Sequence, residues 1–166
     1  MKRIIIFGLI AVLAVNVSAV QQAFAVPDDA VISASCQTVQ STLTKIEKTD
    51  VVSRLNRVRS YESLLDLMFA MNARLASNRI TSPELSEITA MFEQGLDDFR
   101  NDYNYYDDRL GEAIGADCVN APTDFYNKLT IARSARATLR EDIMELSSYI
   151  DSYYDELGKI SEANKW

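Results

Sequence analysis

The chain has no histidine, and only three prolines, five glycines and two cysteines among its 166 residues. Each shortage excludes something. Without histidine there is no Ser-His-Asp or Cys-His arrangement, and the commonest zinc ligand is missing. No glycine-rich phosphate loop and no Cys-x-x-Cys pair occurs. So few helix breakers point to long helices. Basic charge is also scarce: 17 Lys and Arg stand against 24 Asp and Glu, a net charge of −7. Nucleic-acid phosphates and anionic lipid both need a basic face, so neither is an expected partner. A basic or neutral partner suits an acidic surface better, and the same acidity favours solubility.

The one long apolar run is at the start. Lys2 and Arg3 precede Ile4–Val15, and a polar stretch then ends in Ala23-Phe24-Ala25. A charged start, an apolar middle and a small-x-small end form a Sec-type signal peptide. Residues 1–25 are therefore expected to be cleaved, with Val17-Ser18-Ala19 the weaker second site. The run is short for a membrane anchor, which needs ~20 apolar residues. Cys36 does not read as a lipidated cysteine, because Ser33-Ala34-Ser35 lacks the apolar residue such a site needs. No later segment is apolar enough to span a bilayer. The expected location is extracytoplasmic: secreted, periplasmic or at the cell surface. Loss of Lys2 and Arg3 with the leader takes the net charge to −9.

Apolar spacing then gives the fold class. Leu85, Ile88, Phe92, Leu96, Phe99, Tyr103, Tyr106, Leu110 and Ile114 recur three and four apart. A second stripe runs Phe125, Leu129, Ala132, Arg136, Leu139, Ile143, Leu146, Ile150, Tyr153, Leu157, Ile160, broken only by Arg136. Such stripes define amphipathic, coiled-coil-like helices. The first segment is less regular: Val39, Leu43 and Ile46 start a face, Lys45–Asp50 is polar, and Val51, Leu55, Val58, Leu65, Met68 and Leu75 resume it. A kink or phase shift near Asp50 would account for the change. Ser82-Pro83 and Asn120-Ala121-Pro122 punctuate the hinges, as cap and first-turn residues. The expected boundaries are a flexible segment at 26–34, helices at about 35–78, 83–114 and 122–160, and a tail at 161–166. Short connections make successive helices antiparallel. The fold class is therefore all-α: an elongated up-down-up antiparallel three-helix bundle.

That topology pairs the cysteines. Cys36 opens the first helix and Cys118 follows the second, so a hairpin brings both to one pole. An oxidising compartment permits the bond. A Cys36–Cys118 disulfide is expected within the chain, with an intermolecular pair or two free thiols as the alternatives.

Two stretches are candidates for function. In Asp97–Asp108 the acids sit at helical spacing with no glycine, so they do not form a calcium loop. Asp98, Asp102, Tyr105 and Arg109 share one helix face. They form either a polar-aromatic strip for a glycan, a small molecule or a cation, or a solvated face beside the core. Leu64–Met71 is apolar nearly all round; Leu64, Leu67, Met68 and Met71 are the candidate association surface, or else gap-filling core. Arg136 either reaches outward to solvent or pairs with an acid on another helix and so fixes register. Paired carboxylates are the only cheap chemistry left, and a thin rod offers little concavity for them.

The reading that results is an exported, non-enzymatic bundle acting through protein contacts or self-association at the cell envelope or surface, in a structural, adhesive or accessory role. The alternative is an extracytoplasmic binding protein for a small molecule, cell-wall glycan or cation, using the Tyr/Asp strip. A carboxylate-based glycan hydrolase is the remote third. No metal and no cofactor is expected.

Overall fold

Short polar signals set the helix ends. In the computed structural model, which describes residues 28–164, α1 spans Asp29–Ser77, α2 Pro83–Ile114 and α3 Pro122–Asn164. The expected signal peptide, residues 1–25, lies outside the described residues. The Asp28 carboxylate caps α1 by accepting from the Ala30 N–H, so α1 begins at Asp29 and takes in most of the segment expected to be flexible. Ser82 caps α2 by accepting from the Leu85 N–H, and Pro83 follows where no N–H is needed. Between α2 and α3, the Asp117 carboxylate accepts from the Val119 and Asn120 N–H groups and shapes the turn. α3 continues to Asn164, through most of the expected tail.

The first hinge departs from the usual chemistry. Arg79, not a glycine, takes the left-handed conformation (φ 60°) that ends α1, and the Ile80 N–H reaches back to the Leu75 carbonyl. This is the Schellman arrangement with a side chain where glycine is cheapest.

Cross-helix pairs fix the topology. Gln40 reaches Ile114 and Ala116, Arg54 reaches Asn104, Arg100 reaches Glu62, and Asn72 reaches Thr89. Along α1 these partners run backwards through α2, so α1 and α2 are antiparallel. Asp29 with Thr123, Asp50 with Arg136 and Asn72 with Tyr153 run forwards, so α1 and α3 are parallel. This is the up-down-up bundle. At ~1.5 Å per residue, the 49 residues of α1 extend ~74 Å.

The core follows the two regular stripes. Leu85, Phe92, Leu96, Phe99, Tyr103, Tyr106 and Leu110 of α2 are buried, as are Phe125, Leu129, Leu139, Leu146 and Tyr153 of α3. α2 and α3 pack most extensively, and a β-carbon at Gly95 would come within 3.3 Å of Leu146, so the missing side chain lets these two helices approach closely.

α1 passes through Asp50 as an uninterrupted helix. Its inward row is not the apolar one expected there. Asp50, Arg54 and Val58 are half-buried and Tyr61 is buried, whereas Leu55 is 47% exposed. Tyr61 meets Phe92 and Phe99 edge to face, at ring distances of 5.9 and 6.0 Å. Polar side chains share the inward positions of this stretch with apolar ones such as Val51 and Val58, which dilutes the apolar periodicity.

The disulfide joins Cys36 to Cys118, with α-carbons 5.6 Å apart and both residues buried. It closes a loop across a sequence separation of 82, worth about 4 kcal/mol in the chain-entropy treatment. Replacing both cysteines by serine is therefore expected to lower the melting temperature by on the order of 10 °C. Circular dichroism melts check this; a variant that melts with the wild type would show the bond to be energetically idle.

Candidate functional site

Three groups from three helices meet at Asp50. Its Oδ2 accepts from the Tyr106 hydroxyl of α2 at 2.7 Å, and its Oδ1 accepts from Arg136 of α3 at 3.2 Å. Arg136 thus pairs with an acid on another helix, the second of the two roles expected for it. The Arg136 guanidinium also lies 6.0 Å from the centre of the Tyr106 ring. Burial, and then the bond to Asp50, push the Tyr106 hydroxyl well above its ordinary pKa, so it stays a neutral donor. Asp50 is 18% exposed and Arg136 52% exposed. The pair is a wet clasp at the edge of the core.

Around this clasp, α1 and α3 leave an open groove floored by α2. One cavity of about 300 Å³ sits beside Asp50, walled by Arg54 and Arg57 of α1 and Arg136 and Arg140 of α3, with Phe99, Tyr103 and Tyr106 beneath. A second, of about 330 Å³, continues towards the disulfide pole between Val39, Leu43 and Ile46 on one side and Leu129 and Ala132 on the other. The small side chain of Ala132 is buried and lines this second cavity, where a larger one would fill the space. Arg54 rests on the Tyr103 ring, 4.5 Å from its centre.

Towards the Arg79 hinge the same groove becomes apolar. Leu64, Leu67, Met68 and Met71 of α1 face Ile150, Tyr154 and Leu157 of α3 around a cleft of about 190 Å³. Met68 is core; Leu64 and Met71 are half-buried; Leu67 is 65% exposed. Beneath them a second polar junction ties the helices: the Tyr153 hydroxyl donates to Asn72 Oδ1 at 2.8 Å, and Asn72 Nδ2 donates to Thr89 Oγ1 at 2.9 Å. Neither Asn72 nor Thr89 stands out in the sequence. Only their shared level in the bundle brings them together.

The Tyr/Asp strip lies elsewhere, beside the α2/α3 seam. Tyr105 is exposed, with Arg109 5.4 Å from its ring centre; Arg109 also pairs with Glu112 at 2.8 Å. Asp98 and Asp102 come within electrostatic reach of Asp142 on α3. Partial burial, then Asp102, Asp98, Glu145 and Glu141, push the Asp142 carboxyl up to about 6. Its Oδ2 is buried and has no hydrogen-bond partner among the described residues. The seam is acidic, yet no group of three or more acidic or sulfur side chains among the described residues is placed to hold a metal ion.

Two outcomes follow from these placements. Asp50→Ala strands the buried Tyr106 hydroxyl, so a loss of about 2 kcal/mol is expected in urea unfolding. A double-mutant cycle with Arg136→Ala should return a coupling below about 1 kcal/mol, because Arg136 is half in water. For Asp142 the folded pKa lies above the ordinary 3.8, so the folded state holds a proton that the unfolded state has lost. Stability is then undiminished below that ordinary value and falls as pH rises through about 6. Asp142→Asn should therefore gain on the order of 1 kcal/mol at pH 8 and nothing at pH 4, allowing for solvent screening. Equal gains at both pH values would assign the effect to packing. Against known proteins, the chain matches no family model, no curated protein and no solved structure.

Proposed function

We propose that this is an exported, non-enzymatic helical bundle that works through protein contacts at the cell envelope or surface, and that its first contact is with a second copy of itself. The observation that carries this reading is the apolar end of the α1/α3 groove. Leu67 and Tyr154, 65% and 61% exposed, stand on the rim of a cleft walled by Leu64, Met71, Ile150 and Leu157. A two-fold interface needs projections and a recess on one patch, because each copy must offer both. This patch has both, and methionine adapts to an incoming side chain. Export is supported by the leader-like residues 1–25 and by the disulfide. The absence of histidine and the polar, hydrogen-bonded use of Asp50 support a non-catalytic role.

Light scattering after size exclusion tests this. At roughly 100 μM, where a micromolar dimer is well populated, the wild type should run as a dimer and Leu67→Glu or Met71→Glu as a monomer. A wild type that remains monomeric, or a dimer indifferent to both changes, would overturn it.

A further inference from the structure

The strongest unexplained feature is the collection of positive charge in one cavity of an acidic protein. Four arginines, Arg54, Arg57, Arg136 and Arg140, line the cavity beside Asp50, in a chain whose net charge is −7. The single carboxylate there, Asp50, is already taken by Arg136 and Tyr106. Among the described residues the other three guanidinia have no carboxylate partner. Arg54 donates to Asn104, Arg57 donates to the Tyr61 hydroxyl, and Arg140 makes neither a hydrogen bond nor an ion pair among the described residues. Like charges gathered this way repel one another, and Asp50 is the one carboxylate in the cavity lining.

A second, independent observation comes from the cavity floor. Tyr103 is only 5% exposed, lines this cavity, and its hydroxyl has no hydrogen-bond partner among the described residues. A buried hydroxyl is costly unless something accepts from it. Three guanidinia without a carboxylate partner and one hydroxyl without an acceptor, around a 300 Å³ space, are complementary to an oxyanion. Burial holds the Tyr103 hydroxyl up at about 12, so it remains a donor beside that anion.

The neighbouring cavity supplies the rest of the ligand's shape. It shares Tyr106 and Arg136 with the first and is otherwise mainly apolar, lined by Val39, Leu43, Ile46 and Leu129. A charged compartment opening into an apolar one fits a molecule with an anionic head and an apolar tail. Polyanions and anionic membranes fit poorly, since the arginines sit in a concave groove and the surface around it carries net negative charge.

We propose that the α1/α3 groove binds a small amphipathic anion. Its carboxylate, or an equivalent oxyanion, sits among Arg54, Arg57, Arg140 and the Tyr103 hydroxyl, and its tail runs past Tyr106 into the apolar cavity. This site differs from both the Tyr/Asp strip and the Leu67 cleft, and it does not depend on self-association.

Isothermal titration of the disulfide-bonded protein with decanoate, below its micellar concentration, tests the proposal. Saturable one-to-one binding is expected, with decanol and acetate each weaker by at least about tenfold. Arg140→Glu should weaken decanoate binding by about tenfold or more while the melting curve stays put, because Arg140 holds nothing in the fold. Tyr103→Phe, which removes one oxygen and keeps the ring under Arg54, should weaken it by about fivefold. Leu67→Glu should leave it unchanged, which separates this site from the dimer contact. Equal affinity for decanoate and decanol, or unchanged binding in both Arg140→Glu and Tyr103→Phe, would overturn the site. So would capture of phosphatidylglycerol vesicles without binding of free decanoate, which would point to a bilayer instead.

Discussion

α1 is clasped to the rest of the protein at intervals; it is not seamed to it by a continuous apolar stripe. The disulfide holds one pole, the Asp50–Tyr106–Arg136 junction the middle, and the Asn72–Thr89–Tyr153 junction the half nearer the first hinge. The two polar junctions are 22 positions apart on α1, or ~33 Å of helix. A long helix with a patchy apolar face can slide or rotate against a hairpin at little hydrophobic cost. Two directional hydrogen-bonded contacts and one covalent bond remove that freedom, because a shifted helix leaves a buried hydroxyl or amide without a partner. Buried polarity in this bundle specifies register more than it adds stability.

The groove is a consequence of the same arrangement. α2 and α3 close on each other around Gly95, while α1 and α3 pack least closely of the three pairs. The long side chain of Arg136 spans the gap to Asp50. Ala132, small and buried, sits where α3 passes that gap. The outcome is a groove that is polar in its middle and apolar towards both ends.

Charge is also sorted by face. The α2/α3 side carries Asp98, Asp102, Asp142 and Glu145, close enough that Asp142 holds its proton to about 6. The α1/α3 side carries the arginines. A net charge describes neither face. The acidic total conceals a local field of the opposite sign, because field strength near a groove depends on the few charges within a Debye length.

Much of the fold could be read from residue order alone. The stripes of α2 and α3, the Ser82-Pro83 and Pro122 signals and the pairing of two cysteines all follow from periodicity and short hinges, which are local properties. α1 was harder because polarity and position conflict there. Asp50 and Arg54 face inward and Leu55 outward, and Tyr61 enters the core at a place the apolar spacing did not mark. The candidate association residues were visible as composition, but whether each is core or rim was not. Arg54 with Arg57, and Arg136 with Arg140, are each one helical turn apart and so legible as pairs. That the two pairs meet around one cavity is decided by the lengths of α1 and α2 and by the clasp at Asp50. Helical faces are set by neighbours three and four residues away. The level at which two distant faces meet is set by everything the chain does between them.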